Sequence, residues 1–588
     1  MKFEKLLKTF KKWILVNGFL LLIVASGFLI YANSLQNSFV LDDASQITAN
    51  PNIQSISNIP KLFLGSTFGY GAGLSGVYYK PLMTSTFAAI YHFFGVNTVP
   101  FHLLQLLFHI ANGILVFLIL KRFFGKNMSL FLALVFLVHP LQSEAVVYVS
   151  ALQEPLFFFF GALAILGISG DLTVVRYLVY ALLISLSLLS KETGLLFLLM
   201  APILRYLFFE QGKKLWARRE FLTTSAITFS ILAIYSLVRH FTVGVPVALD
   251  KPYPIMRISL LSRILGIPAE VFYYIRNLFF PRDFAVAQHW VVTKITFSTF
   301  WLPLAFDLLV LGLIVVLGWR LLKKKSKRFR IYLLFLIWLI LGIGLHLNIL
   351  PLDVTTADRW FYFPMVGALG LLGLIIQEFS IRKVLSVIGI LIIIGLSIRT
   401  YVRNRDWKDG LTLALHDIQY SHDSFPLENN LAYELINAGR WNEAEVHAKR
   451  SIELGPWWWL NWNNLGVIYR HRSVGDPLYI DKSVEAFIKA TKNTDTFYLP
   501  YENLAELLLF YKSPKDASDF IVEASKKITP NARLWFLLAI AQYQLGNKES
   551  AINALYQARL TTMEDQTINA FYQALINNNA VQFTKPSY

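Results

Sequence analysis

The stretch WILVNGFLLLIVASGFLIY, residues 13–31, decides the class of fold that this chain adopts. A helix rises about 1.5 Å per residue, so an apolar run of this length crosses the roughly 30 Å hydrocarbon layer of a bilayer. Lysines precede it at positions 2, 5, 8, 11 and 12. Because no small-residue cleavage site follows, we interpret the segment as an uncleaved anchor with its basic end in the cytoplasm, and a signal peptide is the alternative.

The composition indicates that lipid surrounds much of the chain. Of its 588 residues 55% are hydrophobic and only 15% are charged, whereas soluble proteins carry about 25% charged residues. The formal net charge of +17 lies largely in short clusters beside apolar segments, which is typical of cytoplasmic membrane loops and argues against a nucleic-acid partner. Since the chain has no cysteine, it forms neither a disulfide nor a thiolate metal site.

Further apolar segments are candidate membrane spans, and they alternate with basic loops in the order that the positive-inside rule requires. Residues 258–281 are also apolar, but Arg263, Glu270 and Arg276 interrupt them, so we predict a re-entrant or interfacial helix pair there. The chain then crosses the membrane about eleven times, and the part after Arg399 lies outside. These further spans are 101–120, 129–149, 156–168, 174–189, 195–208, 221–238, 300–318, 331–350, 365–377 and 384–398.

The composition becomes polar and helix-forming after about residue 426, with a repeat near 34 residues. One copy, with Trp462, Leu465, Gly466 and Tyr469, has the arrangement of a tetratricopeptide repeat, and about four such hairpins stack into a solenoid. We therefore predict an all-α protein in three parts. They are a polytopic membrane bundle at 1–400, a linker at 401–425, and an extracytoplasmic repeat domain at 426–588.

The parity of the spans predicts that one group of polar residues gathers at the outer face. Ionisable side chains are costly near a bilayer, and where they collect they usually line a site. A carboxylate that acts as a base, beside cations that hold phosphate charge, suits a reaction with an anionic substrate. The group comprises Asp42, Asp43, Lys80, His139, Glu144, Glu154, Lys191, Glu192, Asp358, Arg359 and Tyr362.

Each member of this group has a structural alternative when it is taken singly. Asp42 and Asp43 could cap a helix beside the membrane. Lys80, Lys191 and Arg359 could extend toward the lipid headgroups. The joint placement of these residues favours a shared site over separate structural roles.

Short motifs in this order resemble the transmembrane and tetratricopeptide-repeat (TMTC) family. The motifs are Asn33-Ser34-Leu35, Phe39-Val40-Leu41-Asp42-Asp43, Asn50-Pro51, Lys80-Pro81-Leu82, His139-Pro140, Glu144-Ala145-Val146, Ser190-Lys191-Glu192, and Asp358-Arg359 with Tyr362 and Pro364. The resemblance implies a GT-C glycosyltransferase bundle similar to protein O-mannosyltransferases. Such enzymes transfer a sugar from a polyprenyl or dolichyl phosphate to an acceptor outside the cytoplasm.

The resemblance also implies roles for the residues at the outer face. The catalytic base maps onto the pair Asp42 and Asp43, and we favour Asp43. In our hypothesis Lys80, Lys191 and Arg359 bind the donor phosphate. The residues that orient the substrate are His139, Glu144, Glu154, Glu192, Asp358 and Tyr362.

Several functional alternatives stay open at this point. The acceptor is expected to be a protein Ser or Thr hydroxyl that the repeat groove holds, and the sugar a hexose such as mannose. A lipid or cell-envelope glycan is the second acceptor class, and a non-catalytic anchor for a repeat scaffold is the third reading. No cofactor is expected, with a divalent metal on Asp42 and Asp43 as the alternative. The membrane is the cell membrane in a prokaryote and the endoplasmic reticulum in a eukaryote.

Overall fold

A computed structural model describes most of the chain, and the described part is helical. It covers residues 18–67, 78–209, 218–243, 253–286, 288–325, 327–379, 382–421, 423–561, 565–577, 579, 581 and 583. Within these residues, extended backbone pairs only at an isolated bridge between Gln288 and Thr356. The predicted all-α class is therefore confirmed. The N-terminal lysines that set the predicted orientation lie outside the described residues.

The first part of the chain is a bundle of apolar helices that ends with one helix after the last candidate span. In chain order the helices are α1 (Gly18–Ser34), α2 (Ile59–Leu62), α3 (Pro81–Phe94), α4 (Thr98–Leu120), α5 (Lys126–Val138), α6 (Ser143–Val147), α7 (Gln153–Gly167), α8 (Val174–Ser190), α9 (Leu195–Phe208), α10 (Arg219–Val243), α11 (Pro254–Arg257), α12 (Leu260–Phe279), α13 (Leu302–Lys323), α14 (Arg328–Gly344), α15 (Pro364–Glu378), α16 (Arg382–Asp406) and α17 (Gly410–Asp417).

A helix lies in each predicted span as far as the structure describes it, although α14 ends at Gly344, before the predicted end at 350. The number of crossings stays a prediction. Among the described residues, 5 helices are long and apolar enough to cross a membrane, or 6 if α5 and the bent segment that follows it form one span. The bend of 52° lies at His139 and Pro140, inside the predicted span 129–149. Residues 258–281 contain the single helix α12, which follows the short helix α11.

Small residues and a buried polar cluster bring the helices of the bundle together. A side chain at Gly370 on α15 would overlap the Phe335 ring of α14, with its Cβ 2.1 Å from that ring, so glycine allows the two helices to approach closely. His109 on α4 bonds the Tyr362 hydroxyl at 2.8 Å and the Leu137 carbonyl at 2.9 Å. Hydrogen bonds of this kind hold helices together where lipid offers no partners.

The second part of the chain is a solenoid of helical hairpins. Its helices are α18 (Phe425–Asn437), α19 (Trp441–Leu454), α20 (Trp459–Arg472), α21 (Leu478–Lys492), α22 (Leu499–Tyr511), α23 (Pro514–Ala524), α24 (Ala532–Gln544), α25 (Lys548–Thr561) and α26 (Gln566–Ile576). Four consecutive pairs form the hairpins, and the predicted repeat arrangement is confirmed. The chain divides into two compact units between His422 and Asp423, so α17 and the end of α16 lie in the first unit although the sequence predicted a linker there.

Amide side chains join successive hairpins of the solenoid. The Asn464 amide donates to Asn429 Oδ1 at 2.9 Å, and the Asn503 amide donates to Asn463 Oδ1 at 2.8 Å. In both cases the donor stands one repeat after the acceptor. Because these groups are largely buried, pairing them removes the cost of unsatisfied amides and fixes the stacking of the repeats.

Gly466 packs closely against the other helix of its hairpin. A Cβ there would lie 2.6 Å from the Phe487 ring of the paired helix. We expect Gly466→Leu to destabilise the solenoid by about 1–3 kcal/mol through overpacking, measured by thermal unfolding and limited proteolysis of the full chain. Gly475→Ala is the control, since a Cβ there meets only the Arg472 carbonyl at 3.8 Å; equal effects of the two changes would contradict the packing explanation.

Candidate active site

A strained turn holds the acidic pair in the segment between α1 and α2. Leu41 has a φ of 52°, a left-handed conformation that costs a residue with a side chain on the order of 1–3 kcal/mol. The turn is held by Asp43, whose N–H donates to the Val40 carbonyl at 3.0 Å and whose Oδ2 accepts the Val40 N–H at 3.0 Å. The strain at Leu41 is therefore maintained by bonds across the turn, and Asp42 lies between them.

Asp43 is fully buried and has three hydrogen-bond donors. Besides Val40, the Ser150 N–H donates to its Oδ1 at 2.7 Å and the Ser150 hydroxyl donates to the same oxygen at 2.5 Å. Burial raises the pKa of Asp43 to about 7, and the three donors oppose that shift. Its side chain makes no capping bond to the short helix Ala44–Thr48 that follows. The Asp43 carboxylate is therefore a fixed part of the loop.

Asp42 differs from its neighbour because its side chain is exposed. Its backbone N–H donates to the Tyr148 hydroxyl at 3.2 Å, which fixes the position of the residue. Desolvation by the surrounding protein raises the pKa of the Asp42 carboxyl, and the charges of Arg359 and Lys80 oppose that rise. A solvent-accessible carboxylate in the field of two cations has the properties of a base beside an anion site.

Arg359 is oriented by a buried carboxylate on another loop. Its guanidinium forms an ion pair with Glu144 Oε1, and its backbone N–H donates to Glu144 Oε2 at 2.9 Å. The Glu144 side chain is 1% exposed and that of Arg359 is 16% exposed, so the cation retains an edge toward solvent. One carboxylate thereby fixes both the backbone and the side chain of Arg359.

Lys191 repeats this arrangement with a different partner. Its ammonium lies 2.5 Å from Glu154 Oε1 and 5.8 Å from the centre of the Phe157 ring. Glu154 is buried at the start of α7, whereas Lys191 retains 13% exposure at the end of α8. The acidic member of each pair is therefore buried, and the basic member is partly exposed.

Lys80 is the third cation, and it forms no ion pair with the part of the chain that the structure describes. It immediately precedes α3, and its ammonium lies 4.6 Å from the centre of the Tyr78 ring. Desolvation lowers the pKa of Lys80 to about 8, with the charges of Lys191 and Arg359 acting in the same direction. The charges of Lys191 and Arg359 therefore act on Lys80, and the convergence of the three cations in one site stays a prediction.

Four of the predicted site residues are engaged in internal contacts. His139 accepts the Leu141 N–H at 3.2 Å through Nδ1, so its Nε2 donates to the Leu278 carbonyl at 3.0 Å. Asp358 accepts the Tyr273 hydroxyl at 2.6 Å. Tyr362 is completely buried with His109 and Asn112, and Glu192 pairs with Arg239 at 2.6 Å. These positions favour structural roles over direct contact with a substrate.

Sequence reasoning missed several polar residues that contact or act on the predicted site residues. Asp353 accepts the Tyr78 hydroxyl at 2.8 Å, and its charge acts on both Lys80 and Arg359. Tyr148 and Ser150 bind the acidic pair directly, as described above. The only available signal was their position in sequence, at the end of the predicted span 129–149 for Tyr148 and Ser150 and near Asp358 for Asp353. Within the described residues, no group of three or more His, Cys, Asp or Glu side chains has the geometry of a metal site.

Comparison with known proteins relates the chain to a group of membrane enzymes. No protein-family model matches the chain. It is 24% identical over 447 residues to a protein O-mannosyl-transferase of Caenorhabditis elegans, covering 74% of this chain and 63% of the relative. It is 22% identical over 626 residues to the human protein O-mannosyl-transferase TMTC3, covering 93% of this chain and 68% of the relative. The resemblance to the TMTC family is confirmed.

The TMTC relatives differ from this chain in length. The chain spans less than two-thirds of the length of the Caenorhabditis elegans relative. A match to the Xenopus laevis protein O-mannosyl-transferase tmtc2 reaches 33% identity, but over 129 residues, which are 21% of this chain and 15% of the relative. The activity of the complete TMTC relatives is therefore a proposal for this chain.

Solved structures give weaker likenesses than the TMTC sequences. ArnT from Cupriavidus metallidurans bound to undecaprenyl phosphate has a TM-score of 0.38 and 16% identity, covering 87% of this chain and 81% of that one. A tetratricopeptide-repeat protein from Thermus thermophilus has a TM-score of 0.24 and 15% identity, covering 31% of this chain and 95% of that one. Because both TM-scores are low, the fold assignment depends on the helices of this chain itself.

Ser150 is the residue whose loss tests the geometry of the acidic turn. We expect Ser150→Ala to destabilise the protein by about 1–3 kcal/mol, because the buried Asp43 carboxylate loses a charge-assisted donor. The measurement is the shift of the thermal unfolding midpoint. Ser185→Ala is the matched control, since that hydroxyl bonds only the Ala181 carbonyl of its own helix. A shift no larger than that of the control would contradict the bonding shown for Asp43.

Proposed function

We propose that this chain is a membrane glycosyltransferase that moves a sugar from a polyprenyl- or dolichyl-phosphate donor to an extracytoplasmic hydroxyl. The observation that carries the proposal is the exposed Asp42 carboxylate on a braced turn, within the electrostatic influence of Lys80 and Arg359. A base and a phosphate site must lie together for this reaction. The TMTC relatives are named protein O-mannosyl-transferases, which supports transfer of mannose to protein.

Asp42 is the catalytic base in this proposal, and Asp43 positions it. A base must reach an acceptor hydroxyl, and the exposed Asp42 side chain can do so. The lone pairs of Asp43 are engaged by Val40 and Ser150 inside the loop. The contacts of the two side chains therefore reverse the order of preference that the sequence suggested for this pair.

The reaction is a single displacement with inversion at the anomeric carbon. The acceptor oxygen attacks that carbon as Asp42 takes its proton, and the bond to the donor phosphate oxygen breaks. The lipid phosphate leaves with the bonding electron pair, and its charge is balanced by Lys80, Lys191 and Arg359. Because a phosphate leaves readily once its charge is balanced, no separate acid is needed.

In this proposal the three cations bind phosphate in different ways, depending on whether each has a carboxylate partner. Glu144 and Glu154 hold Arg359 and Lys191 in fixed orientations before the donor arrives, which lowers the reorganisation cost of binding. Lys80 has no carboxylate partner among the described residues and is available to pair with the phosphate. His139, Glu192, Asp358 and Tyr362 act through the loops that they hold.

The acceptor in this proposal is a Ser or Thr hydroxyl of an extended protein segment bound along the solenoid. A lipid or cell-envelope glycan is the alternative acceptor, and a non-catalytic scaffold is the alternative function. No metal takes part in the proposed step, and activity that persists in a chelator would agree with this. Comparison of exported proteins from cells with and without the gene by mass spectrometry separates these cases. Hexose lost from lipid-linked glycans alone would favour the glycan acceptor.

Asp42→Asn tests the assignment of the base. We expect transfer to fall about 10²–10⁴-fold, the usual contribution of a general base, while the thermal unfolding midpoint stays unchanged because the side chain is exposed. The assay is the mass of a Ser- or Thr-containing peptide incubated with polyprenyl-phosphate mannose. Asp43→Asn is the matched change, and it should lower the unfolding midpoint as well as the rate. Full activity of Asp42→Asn would support the scaffold function.

The lowered pKa of Lys80 predicts that donor use declines at high pH. Its lowered pKa of about 8 means that the ammonium is charged below that pH and loses its charge above it. We expect kcat/KM for the donor to fall as the pH rises past about 8, because a neutral amine no longer attracts phosphate. Lys80→Arg should keep the charge and remove this fall. An identical high-pH limb in Lys80→Arg would exclude Lys80 as its source.

A further inference from the structure

The segment that follows the last candidate span contacts the support of Asp42. The Tyr148 hydroxyl accepts the Asp42 N–H at 3.2 Å, and the Tyr148 ring stacks on the Trp407 indole with centroids 5.6 Å apart and an angle of 25°. We propose that Trp407 is a positioning residue for the glycosyl transfer, acting through Tyr148 on the base Asp42. This inference rests on the proposed function and assigns part of its machinery to the segment predicted as a linker.

The Tyr148 and Trp407 rings stack in the interior of the protein. Tyr148 is 5% exposed and Trp407 is 1% exposed, so both rings are enclosed. The buried Trp407 indole N–H has no hydrogen-bond partner within the described part of the chain. The Trp407 ring stacks on Tyr148, and the Arg403 guanidinium lies 5.5 Å from the ring centre.

The backbone beside Trp407 is tied to the loop that leads to Asp42. The Ser38 N–H donates to the Lys408 carbonyl at 2.9 Å, and the Asn37 amide donates to the Asn404 carbonyl at 3.1 Å. These bonds lie on both sides of Trp407 in sequence. The indole consequently keeps one register relative to the acidic turn, and a displacement of either segment moves the other.

An ion pair anchors the far end of the same segment. Arg403 donates to Asp417 Oδ1 at 3.1 Å, and Asp417 Oδ2 accepts the Val286 N–H at 2.7 Å. Arg403 and Asp417 are both buried, so this pair is shielded from solvent and salt. Burying them together favours one path for the chain between α16 and α17. Trp407 stands inside that path, next to the Arg403 guanidinium.

We expect loss of the stack to affect the base Asp42 more than the cations that bind the donor phosphate. Lys80 and Arg359 are held by α3 and by Glu144, none of which contacts Trp407 in the bonds described above. Loss of the indole should therefore loosen Tyr148 and Asp42 while donor binding persists. A displacement of about 1 Å at a reacting group costs on the order of 10²-fold in rate. The expected signature is a lower kcat with little change in KM for the donor.

Three variants of the full chain test the proposal. In Trp407→Ala we expect kcat to fall about 10–100-fold with donor KM within about twofold, and in Trp407→Phe, which keeps an aromatic face, we expect most of the rate to return. Trp459→Ala is the matched control. Its indole is 6% exposed, lacks a hydrogen-bond partner in the described chain, and stacks on Phe497 at 4.9 Å and 25°, but in the solenoid. At saturating acceptor peptide it should leave kcat unchanged, because a weakened solenoid would raise the KM for the acceptor instead.

A second measurement separates this inference from the proposed activity. Hydrogen exchange at the Asp42 amide reports its bond to Tyr148 whether or not transfer is observed. Trp407→Ala should speed exchange in the peptide around residues 40–46 at least tenfold, and Trp407→Phe should not. A wild-type chain without transfer activity would overturn the proposed function alone. Unchanged exchange and an unchanged kcat in Trp407→Ala, or equal losses in Trp459→Ala, would overturn the role of Trp407.

Discussion

The ion pair between the buried Glu144 and the partly exposed Arg359 is the interaction on which the candidate site depends. It joins residues that are 215 positions apart in sequence, and Glu144 also accepts the Arg359 backbone N–H. Loss of Arg359 would leave the buried Glu144 carboxylate without its partner, a change that costs roughly 3–5 kcal/mol where both members of a pair are buried. The pair therefore fixes where the segment after α14 meets α6, and with it the position of the cation whose charge acts on Asp42.

The three cations differ in whether a carboxylate pairs with them. Arg359 and Lys191 each have a carboxylate partner that is buried behind them, which lowers the cost of holding a charge there. Lys80 has no such partner among the described residues, and desolvation lowers its pKa to about 8. Two cations are thus held by carboxylates, and the third is not.

The sequence predicted the helical segments and the repeats, because these depend on the length of apolar runs and on a recurring residue pattern. It could not separate Asp42 from Asp43, since the two share one chemistry and one loop. Their difference comes from Ser150, which is 107 residues away and donates twice to Asp43. Likewise, Tyr362 belongs to a loop motif by sequence, yet its side chain is turned inward to His109.

The segment after residue 400 illustrates a general limit of composition as a guide to structure. The sequence predicted a linker at 401–425, between the last predicted span and the first repeat, and composition does not report whether a polar group there meets water or a distant backbone. In the structure, side chains join the end of α1 to the end of α16. The Asn33 amide donates to the Tyr401 carbonyl at 2.9 Å, and the Asn404 amide donates to the Ile30 carbonyl at 3.0 Å. Bonds of this kind restrict the motion of both segments, and a strained turn such as that at Leu41 persists only where the surrounding structure is rigid.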